Sequence, residues 1–106
     1  MTMNINKTDY AFEQIVISTN ALPFTAATVK GLYPYVFARA LVSVESAAIR
    51  YRFDGTAPTS SVGHPLNVGD SFTLEGLDDI LNFKAIRDVA ATGDATITVT
   101  YVNAKK

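Results

Sequence analysis

Cysteine is absent from the 106 residues of this chain. That excludes disulfide frameworks and thiolate metal sites together. Histidine occurs once, at His64, whereas catalytic zinc or iron sites generally need two or three imidazoles, or imidazoles with carboxylates. An excess of either charge is missing as well. Nine basic and ten acidic residues give a formal net charge of -1, too little to steer the chain onto nucleic acid or an anionic membrane. No apolar run exceeds about four residues, far short of the roughly 20 that a membrane-spanning helix requires. Met1 to Asn6 has no basic stretch followed by an apolar one. A soluble chain without a Sec-type signal is expected.

What is present favours sheet. Hydrophobic residues make up 48% of the chain and charged residues only 18%, against an ordinary charged share of about 25%. Much Ala, Val, Thr and Tyr with few charges suits half-buried pleated surfaces. The thin charge layer also points to an outer surface that meets another protein. The length fits a single domain, one that buries roughly 65% of its unfolded surface and needs no metal or disulfide to hold a core.

Period-two alternation is the clearest pattern. Ala95, Ile97, Val99 and Tyr101 alternate with Thr96, Thr98 and Thr100. Successive strand side chains point to opposite faces, so this segment has one buried face and one Thr-lined face. Ile49, Tyr51 and Phe53 alternate with Arg50, Arg52 and Asp54, and Phe72 and Leu74 with Ser71, Thr73 and Glu75. Further strands are expected at Phe12 to Ser18, covered on both faces because of Ile15-Val16-Ile17, and at Thr25 to Lys30 and Phe37 to Val44. Phe83 to Val89 carries a parity slip at Ile86, which predicts a bulge or twisted edge. Turn chemistry separates these runs at Leu22-Pro23, Gly31 to Pro34, Asp54-Gly55, Ala57-Pro58, Gly63 to Pro65, Gly69-Asp70 and Gly93-Asp94.

The expected fold is therefore all-β: an antiparallel β-sandwich or jelly roll of seven or eight strands, with a closed barrel as the alternative. One short helical turn is expected near residues 78–82, with Asp78 as its cap. Residues 1–10 read as a polar N-terminal arm, 11–102 as the β domain and 103–106 as a polar tail.

No constellation points to catalysis. The stretch from Gly63-His64-Pro65 to Gly69-Asp70 resembles the first motif of metal-binding cupins, but it lacks the second histidine and the glutamate that follow there. Ser60 and Ser61 lie near His64 without a nucleophile elbow. Asp78 and Asp79 are better placed to start a helix than to act as paired acids. Asp54, Asp70, Asp78 and Asp79 lack the spacing of a calcium loop. Arg50 and Arg52 share one strand face while Tyr51 takes the other, so basic and stacking groups are not on one nucleic-acid platform. Cross-strand ion pairs to residues such as Glu75 or Asp88 are expected for these arginines. No enzyme activity, metal or cofactor is expected.

Two resemblances rest on specific strings. Tyr51-Arg52-Phe53-Asp54-Gly55-Thr56-Ala57-Pro58-Thr59 resembles the Tyr-x-x-Asp-Gly-x-x-Pro-Thr turn of the chitobiase-type C-terminal β-sandwich module. The longer span from about Ala40 to Val102 includes the Leu41 to Leu66 string, Gly69-Asp70, Leu81-Asn82-Phe83-Lys84-Ala85-Ile86-Arg87 and the Thr-rich last strand. It resembles a family of small proteins encoded with the virion genes of tailed bacteriophages and prophages. That resemblance implies a virion component made in the bacterial host cytoplasm. Capsid decoration (cement) is the most natural role, with the major capsid protein or another virion protein as partner. It also implies a homo-oligomer, dimeric or trimeric, with closed symmetry; from the near-neutral charge, no nucleic-acid or membrane partner is expected. Connector, tail or fibre components and a carbohydrate-binding or adhesive module are the alternatives. Candidate interface residues are Tyr33, Pro34 and Tyr35, in a loop whose tyrosines would anchor a contact or stack on a sugar, with Arg50 and Arg52 beside them.

Overall fold

The computed structural model describes residues 8–25 and 37–104. The elements in chain order are β1 (Thr8–Ile17), β2 (Phe37–Glu45), β3 (Ile49–Arg52), β4 (His64–Leu66), β5 (Ser71–Glu75), α1 (Leu77–Asn82), β6 (Lys84–Arg87) and β7 (Ala95–Ala104). They form a four-stranded sheet in the order β1-β7-β2-β5 and a three-stranded sheet in the order β4-β3-β6. Every pairing is antiparallel. Outside the strands, Leu22 bridges Ala85 of β6, its N–H and C=O both engaged at 2.8 and 2.9 Å.

With Leu22 counted as a vestigial strand, the wiring is that of a ribbon folded back on itself. β3 pairs with β4, β2 with β5, Leu22 with β6, and β1 with β7. The β2–β7 and β3–β6 ladders then roll this double ribbon into two layers. This is the jelly-roll form of the β-sandwich, and two separate sheets rule out the closed barrel.

The core follows from alternation. Ala95, Ile97, Val99 and Tyr101 of β7 are fully buried, and Ala40, Val42 and Val44 of β2 lie beside them in register. Across the sandwich stand Ile49 and Ala85, with Phe83 between α1 and β6. Phe83 stacks on Phe24 at 4.2 Å between centroids, and Phe24 meets Tyr101 edge-on at 5.5 Å. Tyr51 stacks on Phe72 at 4.5 Å. Offset and edge-on pairs of this kind contribute roughly 0.5–1.5 kcal/mol each beyond their burial.

Four sequence expectations change on contact with the structure. β1 is a sheet edge with one face open, because Phe12 and Val16 project outward while Ala11, Ile15 and Ile17 pack inward. Thr8 to Tyr10 and Asn103 to Ala104, read as arm and tail, belong to the β1–β7 ladder; backbone pairing carries them without an apolar pattern. β6 is the edge strand of its sheet but has no bulge: Ala85 and Ile86 are both buried because the three-stranded sheet is covered on both faces there. Helix α1 starts at Leu77 with Gly76 at its N-cap, which places Asp78 in the first turn and not at the cap. The expected strand from Thr25 to Lys30 falls outside the described residues after Thr25.

Candidate interaction surface

The outer face of the four-stranded sheet has no covering layer among the described residues, and its composition is set by register. One row across it runs Phe12, Thr100, Leu41, Thr73; the next runs Gln14, Thr98, Ser43, Ser71; a third runs Val16, Thr96, Glu45. Phe12, Val16 and Leu41 are 63%, 58% and 46% exposed. Threonine places a methyl and a hydroxyl at each β7 position of these rows, so the face offers apolar contact and hydrogen bonding together.

This face is organised by its own polar links. Gln14 Nε2 donates to Thr98 Oγ1 at 3.2 Å, and Thr98 Oγ1 donates to Glu45 Oε2 at 2.6 Å. Three neighbouring strands are thus tied through one threonine. Beside the apolar row, Arg39, Leu41, Thr73 and Val102 line an open recess of about 270 Å³. Arg39 and Glu75 are direct cross-strand neighbours at its border, an opposite-charge placement that favours the sheet.

The three-stranded sheet is built differently. Its outer face is capped by the loop between β3 and β4, where Pro58 is buried. Gly63 closes that loop at φ +144, and a Cβ there would lie 3.1 Å from the Tyr51 carbonyl oxygen and 3.2 Å from Pro58 Cβ. Asp54 Oδ1 accepts the Thr56 N–H at 3.2 Å and Thr59 Oγ1 accepts the Val62 N–H at 3.0 Å, as expected of such turn residues.

Arg50 and Arg52 hold this loop in place. Arg50 Nε donates to Asp88 Oδ1 at 2.7 Å and its Nη1 to the Gly63 carbonyl at 3.0 Å. Arg52 is ion-paired with Asp54. Hydrogen bonds from the Ala90 amide and then from Arg50 hold the Asp88 carboxyl below the usual carboxylate range. Bonds from Arg52 and the Thr56 amide do the same for Asp54. Both arginines are therefore ion-paired within the chain. The remaining interface candidates, Tyr33, Pro34 and Tyr35, lie outside the described residues.

His64 opens β4 opposite Tyr51 and is not a turn residue. Its ring lies 5.3 Å from that of Tyr51 and 6.2 Å from that of Phe53. With Arg52, Phe53 and Asp54 it lines a shallow recess of about 90 Å³. Among the described residues, no group of three or more His, Asp or Glu side chains is placed to hold a metal ion.

Sequence reasoning missed Phe12, Val16 and Leu41 as surface residues. Each belongs to a run with apolar residues on both parities, so alternation alone does not say which side faces out. The Thr-rich parity of β7 does carry that signal, and register with β7 extends it to β1 and β2.

No protein-family model matches this chain, and no curated protein matches it. Among solved structures, a chain described with Bacillus endospore appendages that form a novel family of disulfide-linked pili is similar to it. The two share 12% sequence identity at a TM-score of 0.47, over 99% of this chain and 96% of that one.

Proposed function

We propose that this protein is a structural component of a bacteriophage virion, acting as a decoration protein that stabilises the head shell by binding capsid subunits. The observation that carries the reading is the outer face of the four-stranded sheet, left uncovered by the described residues, where Phe12, Val16 and Leu41 are exposed among threonines on a firmly packed backing. A cement role needs that kind of surface: rigid, broad, and capable of apolar and hydrogen-bonded contact at once. The sequence resemblance from about Ala40 to Val102 supports the same reading, and the virion partner would be the major capsid protein.

The test uses mature shells of the phage or prophage that encodes the chain. Saturable binding and a raised shell unfolding temperature are expected, and Leu41→Lys, which charges the centre of the face, should weaken both. Absence from purified virions together with no binding to such shells would refute the proposal.

A second reading, a carbohydrate-binding module, is favoured by the recess where Phe53 lies beside Arg52, Asp54 and His64. An exposed ring flanked by hydrogen-bonding groups can stack on a sugar. Retention on a glycan array that Phe53→Ala removes would support this reading over the first, and a blank array would eliminate it.

A further inference from the structure

The strand edges of the two sheets are unequally protected. β4 is three residues long with Pro65 at its centre, and proline blunts an edge because it has no N–H to donate. The far edge of β6 is occupied by Leu22, which takes both hydrogen-bonding groups of Ala85. β5 is a five-residue strand that ends at Glu75, directly before Gly76 and α1. β1 has none of these devices. It runs ten residues without proline, lysine, arginine or glycine, and its register with β7 is continuous from Thr8 to Ile17. Among the described residues no strand pairs with its other edge.

An unpaired edge of this length presents a row of backbone N–H and C=O groups that only another strand can satisfy in full. The side chains say which strand fits. Phe12, Gln14 and Val16 share the outer face, and Phe12 and Val16 are among the most exposed large apolar side chains of the described residues. In an antiparallel pair centred on Gln14, Phe12 lies opposite Val16 of the partner subunit, and each covers the other. Ala11 and Ile17 face each other in the same way on the inner side. A pair centred on Glu13 would instead set two carboxylates directly opposite each other, which is unfavourable.

We propose that the free edge of β1 pairs antiparallel with β1 of a second copy of this chain, about a twofold axis at Gln14, to give one continuous sheet through both subunits. Such an interface is isologous and closes as a dimer. This inference stands apart from the virion reading, since it names a contact between copies and not a contact with a shell.

The absence of cysteine supplies a direct test. In Gln14→Cys the new thiols would face each other across the axis, at a separation that a disulfide spans. Mild oxidation should convert this variant to a covalent dimer much faster than Ser71→Cys, on the opposite edge of the same sheet. Sedimentation equilibrium of the unmodified chain should give a dimer. Phe12→Lys with Val16→Lys should give a monomer that keeps its β-type circular dichroism, while Leu41→Lys should stay dimeric. A monomer at every concentration, or equal crosslinking of the two cysteine variants, would overturn the proposal whether or not the lysine variant folds. A dimer lost in Leu41→Lys but kept in the edge variant would place the contact on the sheet face instead, and would also refute it.

Discussion

The Tyr101 hydroxyl donates a hydrogen bond to Glu13 Oε2, although Tyr101 is completely buried and Glu13 lies one strand away on the inner face. The two are diagonal neighbours in register, since Ala11 faces Tyr101 and Glu13 faces Val99. The same carboxylate accepts from Thr25, through its hydroxyl and, at 3.4 Å, through its amide. One acidic side chain thus connects β1, β7 and the segment that carries Phe24 into the core.

Removing the hydroxyl tests that connection. A hydrogen bond to a charged group contributes roughly 1.5–3 kcal/mol, so Tyr101→Phe should lower stability by about that amount in urea unfolding. The change should appear in the midpoint and leave the slope unaltered.

Burial, and then the bond and charge of Glu13, push the Tyr101 phenol far above its ordinary range; burial alone raises Tyr51. A raised folded-state pKa means stability is complete below the unfolded value and declines as pH rises past it. The decline should therefore begin above about pH 10. Of the five tyrosines, Tyr101 should not ionise in an absorbance titration until the chain unfolds, and in Tyr101→Phe that late component should vanish.

At acid pH the relevant group is Asp88. Its folded-state pKa is depressed, so its contribution is present above the unfolded value and is lost as pH falls through the folded one. Denaturant midpoints measured downward from about pH 5 should fall most steeply below about pH 4. Asp88→Asn should begin lower at neutral pH and show a shallower acid decline, since Arg50 then has no carboxylate to lose.

Gly63→Ala should destabilise by about 1–3 kcal/mol, because φ +144 is strained for an L-residue and the Tyr51 carbonyl, 3.1 Å from the new Cβ, would have to give way slightly. Gly69→Ala is the useful comparison. It also has a positive φ, at +89, but nothing lies within 4 Å of its Cβ position. It should cost less, and the difference in thermal midpoint measures the steric part.

Phe83→Ala should cost about 3–5 kcal/mol. Its ring is fully buried and within stacking distance of Phe24, Tyr51 and Phe72. Against a total stability of ~5–15 kcal/mol, calorimetry should find a broad, low-temperature transition or none.

How much of this was legible in the sequence depended on whether one face of a strand was polar. β7 could be read residue by residue, since its threonines mark the outer face. For Arg50 the sequence offers Glu75 or Asp88 as an ion-pair partner, and only the fold selects Asp88. Ile86 could not be placed, because a distant loop covers a face that periodicity assigns to solvent. Leu22 gave no strand pattern, since a single bridging residue has no period. The interface candidates Arg50 and Arg52 were visible as charges, but their partners Asp54, Asp88 and the Gly63 carbonyl come together only in three dimensions.

The folded-over ribbon also sets an order of assembly. The β3–β4 ladder closes the shortest loop, β2–β5 needs that loop already drawn in, and β1–β7 unites the most distant segments of all. Loop-closure entropy then makes the outermost ladder the last to form, with refolding on the order of milliseconds to seconds. Until that final zip, β7 lacks one neighbour and Tyr101 has no acceptor, so the interval before closure is when the chain is most exposed to mispairing with other strands.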